Sequence, residues 1–438
     1  MKKYLFILFI ILISCKTKQV TSSKFLEKSF ENIKIYEQQN ALEYGPCEPS
    51  IFINPLNTSN LVAGSVMKNE HRSFDGGKTW KTNTLKSSLG VYGDPCIAAD
   101  FKGNFYYFHL ANPDGMAYSG KRFLESMVVQ KSVDGGKTWS DGTAIGKNDY
   151  PRQQDKEWAV VNPKNNEIYL TWTEFEKYGS KDKNHHSRIR FSKSTDDAKI
   201  WSKAITLSEI EGDALDDDLT VEGAVPAIGA KGEIYVSWSV NNKIYFDKSL
   251  DDGKTWLKND IEVCNQPKGW TFDVDGVSRA NGMPITCVDT SNSKYKGTIY
   301  INFSDQRNGE DNTDIFLVKS TDDGKTWSHP VKVNIENTKT HQFFTWMSVD
   351  AKTGYIYIVF YDRSKYTNNQ TDVMLAVSKD GGETFVNKTI SSSPFTPIKS
   401  VFFGDYNNIS AYDGIIRPIW TRYENGKLSI WTCLIEDK

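Results

Sequence analysis

A short pattern of alternating apolar positions recurs along the chain. It reads Gly or Asn, any residue, Ile, Tyr, a branched aliphatic residue, any residue and an aromatic residue. The clear copies are Asn166–Trp172, Gly232–Trp238, Gly297–Phe303 and Gly354–Phe360, and the weaker ones are Ser59–Ser65, Gly103–His109 and Gly414–Trp420. Alternation of β-branched and aromatic residues favours a strand over a helix. The sequence therefore predicts seven equivalent strands, with no long amphipathic helix among them.

A polar octapeptide accompanies these strands. Its first copy, Ser73–Trp80, reads Ser-Phe-Asp-Gly-Gly-Lys-Thr-Trp, and its opening serine recurs every 55 to 71 residues. The other copies are Ser132–Trp139, Ser194–Trp201, Ser249–Trp256, Ser320–Trp327 and Ser378–Phe385, of which Ser194–Trp201 has Ala198 where Gly is expected. Gly allows a positive φ, and Ser, Thr and Asp side chains bond to turn amides. The octapeptide predicts a tight hairpin turn, and its period indicates a repeat architecture.

The octapeptide resembles the Asp-box of sialidases and related β-propellers, and the likeness extends from Glu48 to the C-terminus. It implies an all-β propeller whose active site lies at the mouth of the central channel, opposite the Asp-boxes. Seven strand repeats predict seven blades, with six as the alternative. The last unit lacks a fourth strand, and Asn32–Gln38 is predicted to supply it and close the ring.

One departure from that family bears on function. Sialidases share three arginines that bind the substrate carboxylate. The first of these arginines stands in an Arg-Ile-Pro motif on the first innermost strand. Here the segment reads Cys47-Glu48-Pro49-Ser50-Ile51. A carboxylate at Glu48 would repel a sialic acid, so the sequence argues against sialidase activity.

The N-terminus has the pattern of an export signal. Lys2 and Lys3 precede the apolar Tyr4–Ile13, which is too short to span a membrane. Leu12-Ile13-Ser14-Cys15 resembles a bacterial lipobox, which implies cleavage before Cys15 and lipidation of that residue. The predicted division is a signal peptide over 1–14, a tether over 15–31 and one propeller domain over 32–438. The resemblance implies a lipid anchor in the outer membrane or periplasm of a Gram-negative bacterium.

The net charge and the number of cysteines limit the expected ligands and disulfide bonds. The chain has 438 residues and a formal net charge of −2, which argues against non-specific nucleic-acid binding. Five cysteines remain after Cys15, an odd number, so they cannot all pair. Cys47 and Cys96 hold similar places in successive repeats; a disulfide between them and two buried free thiols are both open. No metal or cofactor motif is present, and a monomer is expected.

Candidate chemistry collects in the loops predicted at the mouth. His109 takes the last position of a strand repeat where other copies hold Trp or Phe, and His341 stands among aromatic residues. With Tyr406, which begins a predicted innermost strand, they are the predicted acids and bases. The predicted substrate-binding residues are Arg152, Trp270, Arg279, Arg307, Phe343, Arg363 and Arg422, since arginine binds carboxylates bidentately and aromatic rings stack on sugars.

A row of carboxylates begins the innermost strands and could equally supply an acid or base. Its members are Glu48, Asp94, Glu157 and Asp405, with Glu222 nearby. Three functions follow from this inventory. The first is β-elimination at a uronate of an acidic poly- or oligosaccharide, by a lyase or dehydratase, because Arg, His and Tyr suit that chemistry. The second is a sialidase-like glycoside hydrolase. The third is a propeller that binds a glycan or protein without turnover.

Overall fold

Each repeat folds into a meander of four antiparallel strands, and seven of these sheets surround a channel. The computed structural model describes residues 29–40 and 43–437. Blade 1 comprises β2 (Ser50–Ile53), β3 (Leu61–Ser65), β4 (Asn69–Ser73) and β5 (Lys81–Thr84). Blade 2 comprises β6 (Cys96–Ala99), β7 (Phe105–Leu110), β8 (Met127–Ser132) and β9 (Thr143–Ile145). Blade 3 comprises β10 (Gln153–Val161), β11 (Ile168–Phe175), β12 (Ser187–Ser194) and β13 (Ile205–Thr206).

The next three blades follow the same order. Blade 4 comprises β14 (Glu222–Ile228), β15 (Ile234–Val240), β16 (Lys243–Ser249) and β17 (Ile261–Asn265). Blade 5 comprises β18 (Ile285–Val288), β19 (Ile299–Asp305), β20 (Asp314–Ser320) and β21 (Val331–Lys332). Blade 6 comprises β22 (Gln342–Val349), β23 (Ile356–Asp362), β24 (Asp372–Ser378) and β25 (Val386–Thr389).

Blade 7 joins the two ends of the chain. Its strands are β26 (Asn408–Tyr412), β27 (Ile415–Glu424), β28 (Lys427–Cys433) and β1 (Asn32–Glu37), and the short β29 (Ile435–Glu436) also pairs with β27. β1 runs antiparallel to β28, with Asn32 opposite Cys433 and Glu37 opposite Ser429. The predicted closing strand is thereby confirmed. Closure leaves the ring without the open sheet edge that an unclosed array exposes.

The innermost strands β2, β6, β10, β14, β18, β22 and β26 form the wall of the channel. Each contacts the next, and β26 contacts β2. The prediction of seven blades is confirmed, and the six-bladed alternative is wrong. The only described helical element is a 3-10 turn at Ala117–Ser119. Among the described residues no helix has the length and apolar character needed to cross a membrane.

The octapeptides form the β-turns between the third and fourth strands. In the first copy, Ser73 donates to Asp75 (2.8 Å) and accepts from the Gly77 amide (2.9 Å), while Asp75 accepts from the Thr79 amide (2.9 Å) and hydroxyl (2.6 Å). The turns that begin at Ser132, Ser249, Ser320 and Ser378 repeat these bonds. All of them lie at the end of the channel that we call the turn face.

Tryptophans that end the octapeptides join neighbouring blades. Trp256 of blade 4 meets Phe191 of blade 3 at a centroid distance of 4.9 Å, and Trp327 of blade 5 meets Phe246 of blade 4 at 5.1 Å. Edge-to-face aromatic pairs of this kind contribute roughly 0.5–1.5 kcal/mol beyond the area they bury. The octapeptide therefore fixes both the turn and the packing between blades.

The cysteine alternatives are also decided. Cys47 and Cys96 are both buried free thiols. The other described cysteines, Cys264, Cys287 and Cys433, are free thiols as well. The possible Cys47–Cys96 disulfide is wrong. Cys96 instead accepts a bond from the Ala159 amide at 3.4 Å. Cys15 lies outside the described residues.

Candidate functional site at the channel mouth

Near the start of several innermost strands one residue takes a left-handed conformation, and in three adjacent blades that residue is charged. The positions are Glu48 (φ 51°) in blade 1, Asp94 (φ 47°) in blade 2 and Lys156 (φ 53°) in blade 3. Blades 4 and 7 have Gly223 and Gly404 at the corresponding positions. A left-handed conformation costs a non-glycine residue about 1–2 kcal/mol, and such strain concentrates at functional sites. Three charged side chains are thus turned towards the mouth at an energetic cost that glycine avoids.

Lys156 is the centre of a buried ion-pair network. Its side chain is 4% exposed, and its Nζ lies 2.5 Å from Asp405 Oδ2 and 3.5 Å from Asp94 Oδ2. These carboxylates come from blades 7 and 2, so the ammonium group links strands that are far apart in sequence. Asp405, Asp94 and Glu48 raise the pKa of Lys156 well above its ordinary value, against the opposing effect of burial.

Arg279 extends the network across the mouth. Its Nε donates to Asp405 Oδ1 (2.7 Å), its Nη2 also pairs with Asp405, and its Nη1 donates to Asp216 Oδ2 (3.0 Å). Asp216 accepts two further bonds, from Tyr178 Oη (2.7 Å) and Trp270 Nε1 (3.2 Å). Despite the cost of burial, the two cations Arg279 and Lys156 lower the pKa of Asp405 far below its ordinary value. Asp405 and Asp216 therefore carry the negative charge that these cations neutralise.

A cavity of about 240 Å³ opens above this network. Its polar lining includes Glu48, Asp94, Asp155, Lys156 and Arg279. Its walls are aromatic: Tyr44, Tyr92, Tyr118, Phe123, Tyr178 and Phe402. The lining residues come from loops between blades and from loops between second and third strands, so the cavity lies at the end of the channel opposite the turn face.

Asp155 has the chemistry of a carboxylic acid that stays protonated at neutral pH. Burial raises its pKa to about 8, with a further upward contribution from the charge of Asp94. Glu48 is fully buried, and burial and Asp94 raise its pKa well above the ordinary value. The cavity therefore holds, at Asp155, a carboxyl group whose pKa is raised and, at Asp94, an acidic side chain paired with Lys156. Two carboxyl groups whose environments differ in this way are typical of an acid and base pair.

Three aromatic rings form the floor beneath the cavity. Trp158 lies 4.2 Å from Trp346 and 5.3 Å from Tyr406, measured between ring centroids. Below them the channel is lined by mainly apolar side chains of the innermost strands. The rings thus separate the polar mouth from the apolar channel. Glu157 and Glu222 are also buried at this end of the channel, and burial raises the pKa of both carboxyl groups well above the ordinary value.

Three residues predicted from the sequence lie in or next to the site. Arg279 lines the cavity, Trp270 binds Asp216 below it, and Tyr406 belongs to the floor. The Tyr406 hydroxyl is buried and has no partner within the described part of the chain, and burial raises its pKa well above the ordinary value.

The two histidines named from the sequence do not line the cavity. His109 is fully buried; its Nδ1 lies 3.0 Å from the Leu110 carbonyl oxygen and its Nε2 lies 3.2 Å from Gln130 Oε1. Burial lowers its pKa to about 4, which keeps the ring neutral. His341 lies near blades 5 and 6, where its Nδ1 contacts Thr313 Oγ1 at 2.9 Å, and burial and the charge of Arg363 lower its pKa.

The other candidate residues are spread around the rim. Arg152 pairs with Glu174 at 3.5 Å, Arg307 pairs with Asp305 at 2.5 Å, and Arg422 binds the Ser393 carbonyl at 3.1 Å. Arg363 binds the Asp275 carbonyl at 2.7 Å and stacks 5.3 Å from the centroid of Phe343, which is fully buried. Each guanidinium has partners in its own neighbourhood, and they do not converge on one carboxylate-binding point.

Asp155, Lys156 and Asp216 were absent from the residues singled out by sequence. Asp155 and Lys156 stand in the run Asp-Lys-Glu-Trp at the start of an innermost strand, and Asp216 stands in the acidic loop Glu209–Glu222. The signal that could have found Lys156 is its place beside a row of strand-initial carboxylates. No three or more His, Cys, Asp or Glu among the described residues are arranged to hold a metal ion.

Comparison with known proteins bears on the fold. No family model matches the chain. Among solved structures it is similar to an ulvan lyase from a new family of polysaccharide lyases, with a TM-score of 0.56 and 13% identity, covering 92% of this chain and 96% of that one. It is also similar to the NanB sialidase from Streptococcus pneumoniae, with a TM-score of 0.53 and 11% identity, covering 86% and 83%. At these identities the likeness shows a sialidase-like propeller fold.

Proposed function

We propose that the protein is a glycoside hydrolase with Asp155 as the general acid and Asp94 as the general base or nucleophile. The observation that carries this proposal is that both carboxyl groups line one aromatic-walled cavity while their surroundings differ. The pKa of Asp155 is raised to about 8 by burial, whereas Asp94 is paired with Lys156 at 3.5 Å. Glycosidases use two such carboxyl groups on either side of the scissile bond.

The proposed reaction follows from these two states. Asp155 gives its proton to the glycosidic oxygen, which makes that oxygen a neutral leaving group. As the bond between the anomeric carbon and that oxygen breaks, a water molecule that gives a proton to Asp94 forms the new bond at the anomeric carbon. If Asp94 itself forms that bond, a second water molecule, which gives its proton to Asp155, then cleaves the bond to Asp94. Lys156 pairs with both Asp94 and Asp405, and Arg279 holds Asp405 in place. Tyr92 and Tyr118 offer ring faces and hydroxyls to the sugar.

Elimination is a second candidate because two cations, Lys156 and Arg279, line the same cavity. A cation next to a uronate carboxylate would stabilise the charge that develops when the C5 proton leaves. Both cations are already paired with Asp405, however, and His109 and His341 lie outside the cavity. These two facts favour hydrolysis over elimination for this site.

The test is incubation of the purified protein with a panel of neutral, uronate-containing and sulfated oligosaccharides. Hydrolysis releases reducing sugar without new ultraviolet absorbance. Elimination produces a C4–C5 double bond conjugated with the carboxylate, which absorbs in the ultraviolet. Absorbance that rises together with product would overturn hydrolysis in favour of elimination, and the absence of product on the whole panel would favour a binding propeller.

We also propose that Cys15 carries a lipid anchor, a position that lies outside the described residues. The topology supports a particular orientation for such an anchor. β1 begins at Asn32 opposite Cys433, at the turn face, and ends near the mouth at Glu37. A chain anchored upstream of Asn32 would leave the mouth directed away from the membrane, towards external glycans. Metabolic labelling with palmitate in the wild type and in Cys15→Ala tests the anchor, and its absence in the wild type would contradict it.

A further inference from the structure

A second, larger cavity adjoins the candidate active site. It has a volume of about 830 Å³ and shares Tyr44, Met67 and Tyr92 with the first cavity. It lies over blades 1 and 2, away from the buried carboxylates of the mouth. Its volume is more than three times that of the first cavity and lies in the range of about 300–1,000 Å³ that is typical of ligand sites.

The charge of the second cavity differs from that of the first. Its lining contains Lys68 and Lys86, both exposed, and one carboxylate, Glu43. The Glu43 carboxylate accepts hydrogen bonds from Tyr36 Oη at 2.8 Å and from the Gln39 amide at 2.7 Å. Neither lysine has an acidic partner among the described residues, in contrast to Lys156 in the first cavity. The lining of this cavity therefore includes two lysines that form no ion pair within the described part of the chain.

The backbone holds these two lysines next to each other. Lys68 lies in the turn between β3 and β4, and Lys86 follows β5 in the loop that leads to blade 2. The Leu85 amide donates to the Lys68 carbonyl at 2.7 Å, which ties the two segments together. The Gln130 side chain in turn donates to the Lys86 carbonyl at 2.9 Å. Lys68 and Lys86 therefore stand on neighbouring backbone segments that hydrogen bonds hold in place.

We propose that this second cavity is a binding subsite for an anionic sugar, one that carries a carboxylate or sulfate group. The inference rests on the proposed function, and it adds that the substrate is an oligosaccharide with its acidic group on a unit next to the one cleaved. The cations of the first cavity are neutralised by Asp405, Asp216 and Asp94, so that cavity accepts an uncharged ring. The free charges lie instead at Lys68 and Lys86, where Tyr36, Tyr44 and Tyr92 provide apolar surface for the sugar.

The test measures binding, which does not depend on turnover. Calorimetric titrations compare maltohexaose and cellohexaose, each in sulfated and unsulfated form, against the wild type and the double variant K68A/K86A. Exposed charge pairs each contribute modestly, so we expect the double variant to bind the sulfated probes about tenfold more weakly and the unsulfated probes unchanged. The preference for sulfated probes is expected to shrink in high salt, which screens exposed charges.

A matched control separates the subsite from general charge. The double variant K254A/K325A removes two exposed lysines from the turn face and is expected to keep the preference for sulfated probes. The proposal is overturned if the wild type binds both forms equally, if it binds neither, or if K68A/K86A and K254A/K325A behave alike. The Asp155→Asn variant is expected to retain the binding preference, so a failure of the proposed hydrolysis and a failure of this subsite give different results.

Discussion

The two ends of the propeller use carboxylates in opposite ways. At the turn face each octapeptide aspartate is surrounded by donors; Asp134 accepts from the Thr138 hydroxyl (2.6 Å) and amide (2.9 Å), and these bonds hold its pKa at about 2. At the mouth, burial and neighbouring charge raise the pKa of Asp155 to about 8. Burial likewise raises the pKa of Glu157 and Glu222 well above the ordinary value.

The difference separates carboxylates whose hydrogen bonds form a repeated turn from carboxylates that we propose for chemistry. The turn-face aspartates make the same bonds in one blade after another. These hydrogen bonds stabilise the turns. The mouth carboxylates differ from blade to blade, lie in strained or desolvated positions and surround a cavity. Shifted pKa values at such places are typical of functional sites.

The largest expected effect comes from replacing the proposed acid. Asp155→Asn keeps the shape of the side chain but removes its transferable proton. We expect kcat on an unactivated glycan to fall about 10²–10⁴-fold, the range that general acid catalysis contributes. Initial rates measured beside Asp134→Asn, which changes a turn-face aspartate in the same way, check this. Equal rates in wild type and Asp155→Asn would remove Asp155 from the mechanism.

Replacing the buried cation is expected to affect stability most. Lys156→Met leaves Asp405 and Asp94 without their shared ammonium group, and breaking a buried pair costs about 3–5 kcal/mol. Urea unfolding of this variant, compared with the exposed Lys137→Met, measures the loss. We expect Lys137→Met to change the free energy of unfolding by less than about 0.5 kcal/mol. A similar small change in both variants would mean that the network contributes little to folding.

The pKa of Asp155 also predicts a pH dependence of stability. Its folded pKa of about 8 lies above the unfolded value of about 3.9. The stability it contributes is fully present below the unfolded pKa and is lost as pH rises through the folded pKa. The wild type should therefore lose more unfolding free energy than Asp155→Asn between pH about 4 and about 8. Parallel curves for the two proteins, measured by urea unfolding, would contradict the raised pKa.

The smallest effect is expected at the turn face. Asp134→Asn weakens the charge-assisted bonds of one exposed turn, and we expect a loss of about 1 kcal/mol in unfolding free energy with no change in activity. Its folded pKa of about 2 lies below the unfolded value, so this stability is present above the unfolded pKa and is lost as pH falls through about 2. Thermal unfolding at neutral and acid pH measures both. A loss of glycan turnover in this variant would contradict the division between the two faces.

Local periodicity predicted a repeat architecture of strands, and the resemblance of the octapeptide to the Asp-box added that the repeats form a propeller. The strand repeat and the octapeptide are short-range patterns, and six of the seven blades are built from consecutive strands of the chain. The closing strand was predictable because blade 7 lacked one strand and Asn32–Gln38 had the right alternation. The strand repeat occurs seven times, and each copy corresponds to one blade.

The site was harder to predict because it depends on contacts between distant blades. Lys156 and Asp405 are 249 positions apart, and nothing local to either residue indicates their ion pair. His109 stood out because it replaced an aromatic residue in the repeat, yet its ring bonds within blade 2 and lies away from the cavity. The sequence indicated Arg279 as a residue that binds a substrate carboxylate. In the structure its guanidinium group forms ion pairs with Asp405 and Asp216.

The most direct test of the account is to trace the oxygen that enters the product. Wild-type protein and Asp155→Asn are incubated with the oligosaccharide panel in water enriched in ¹⁸O, and products are analysed by mass spectrometry. We expect the wild type to place one heavy oxygen at the new reducing end and Asp155→Asn to form this product far more slowly. An unsaturated product without heavy oxygen, or an equal rate in the two proteins, would contradict it.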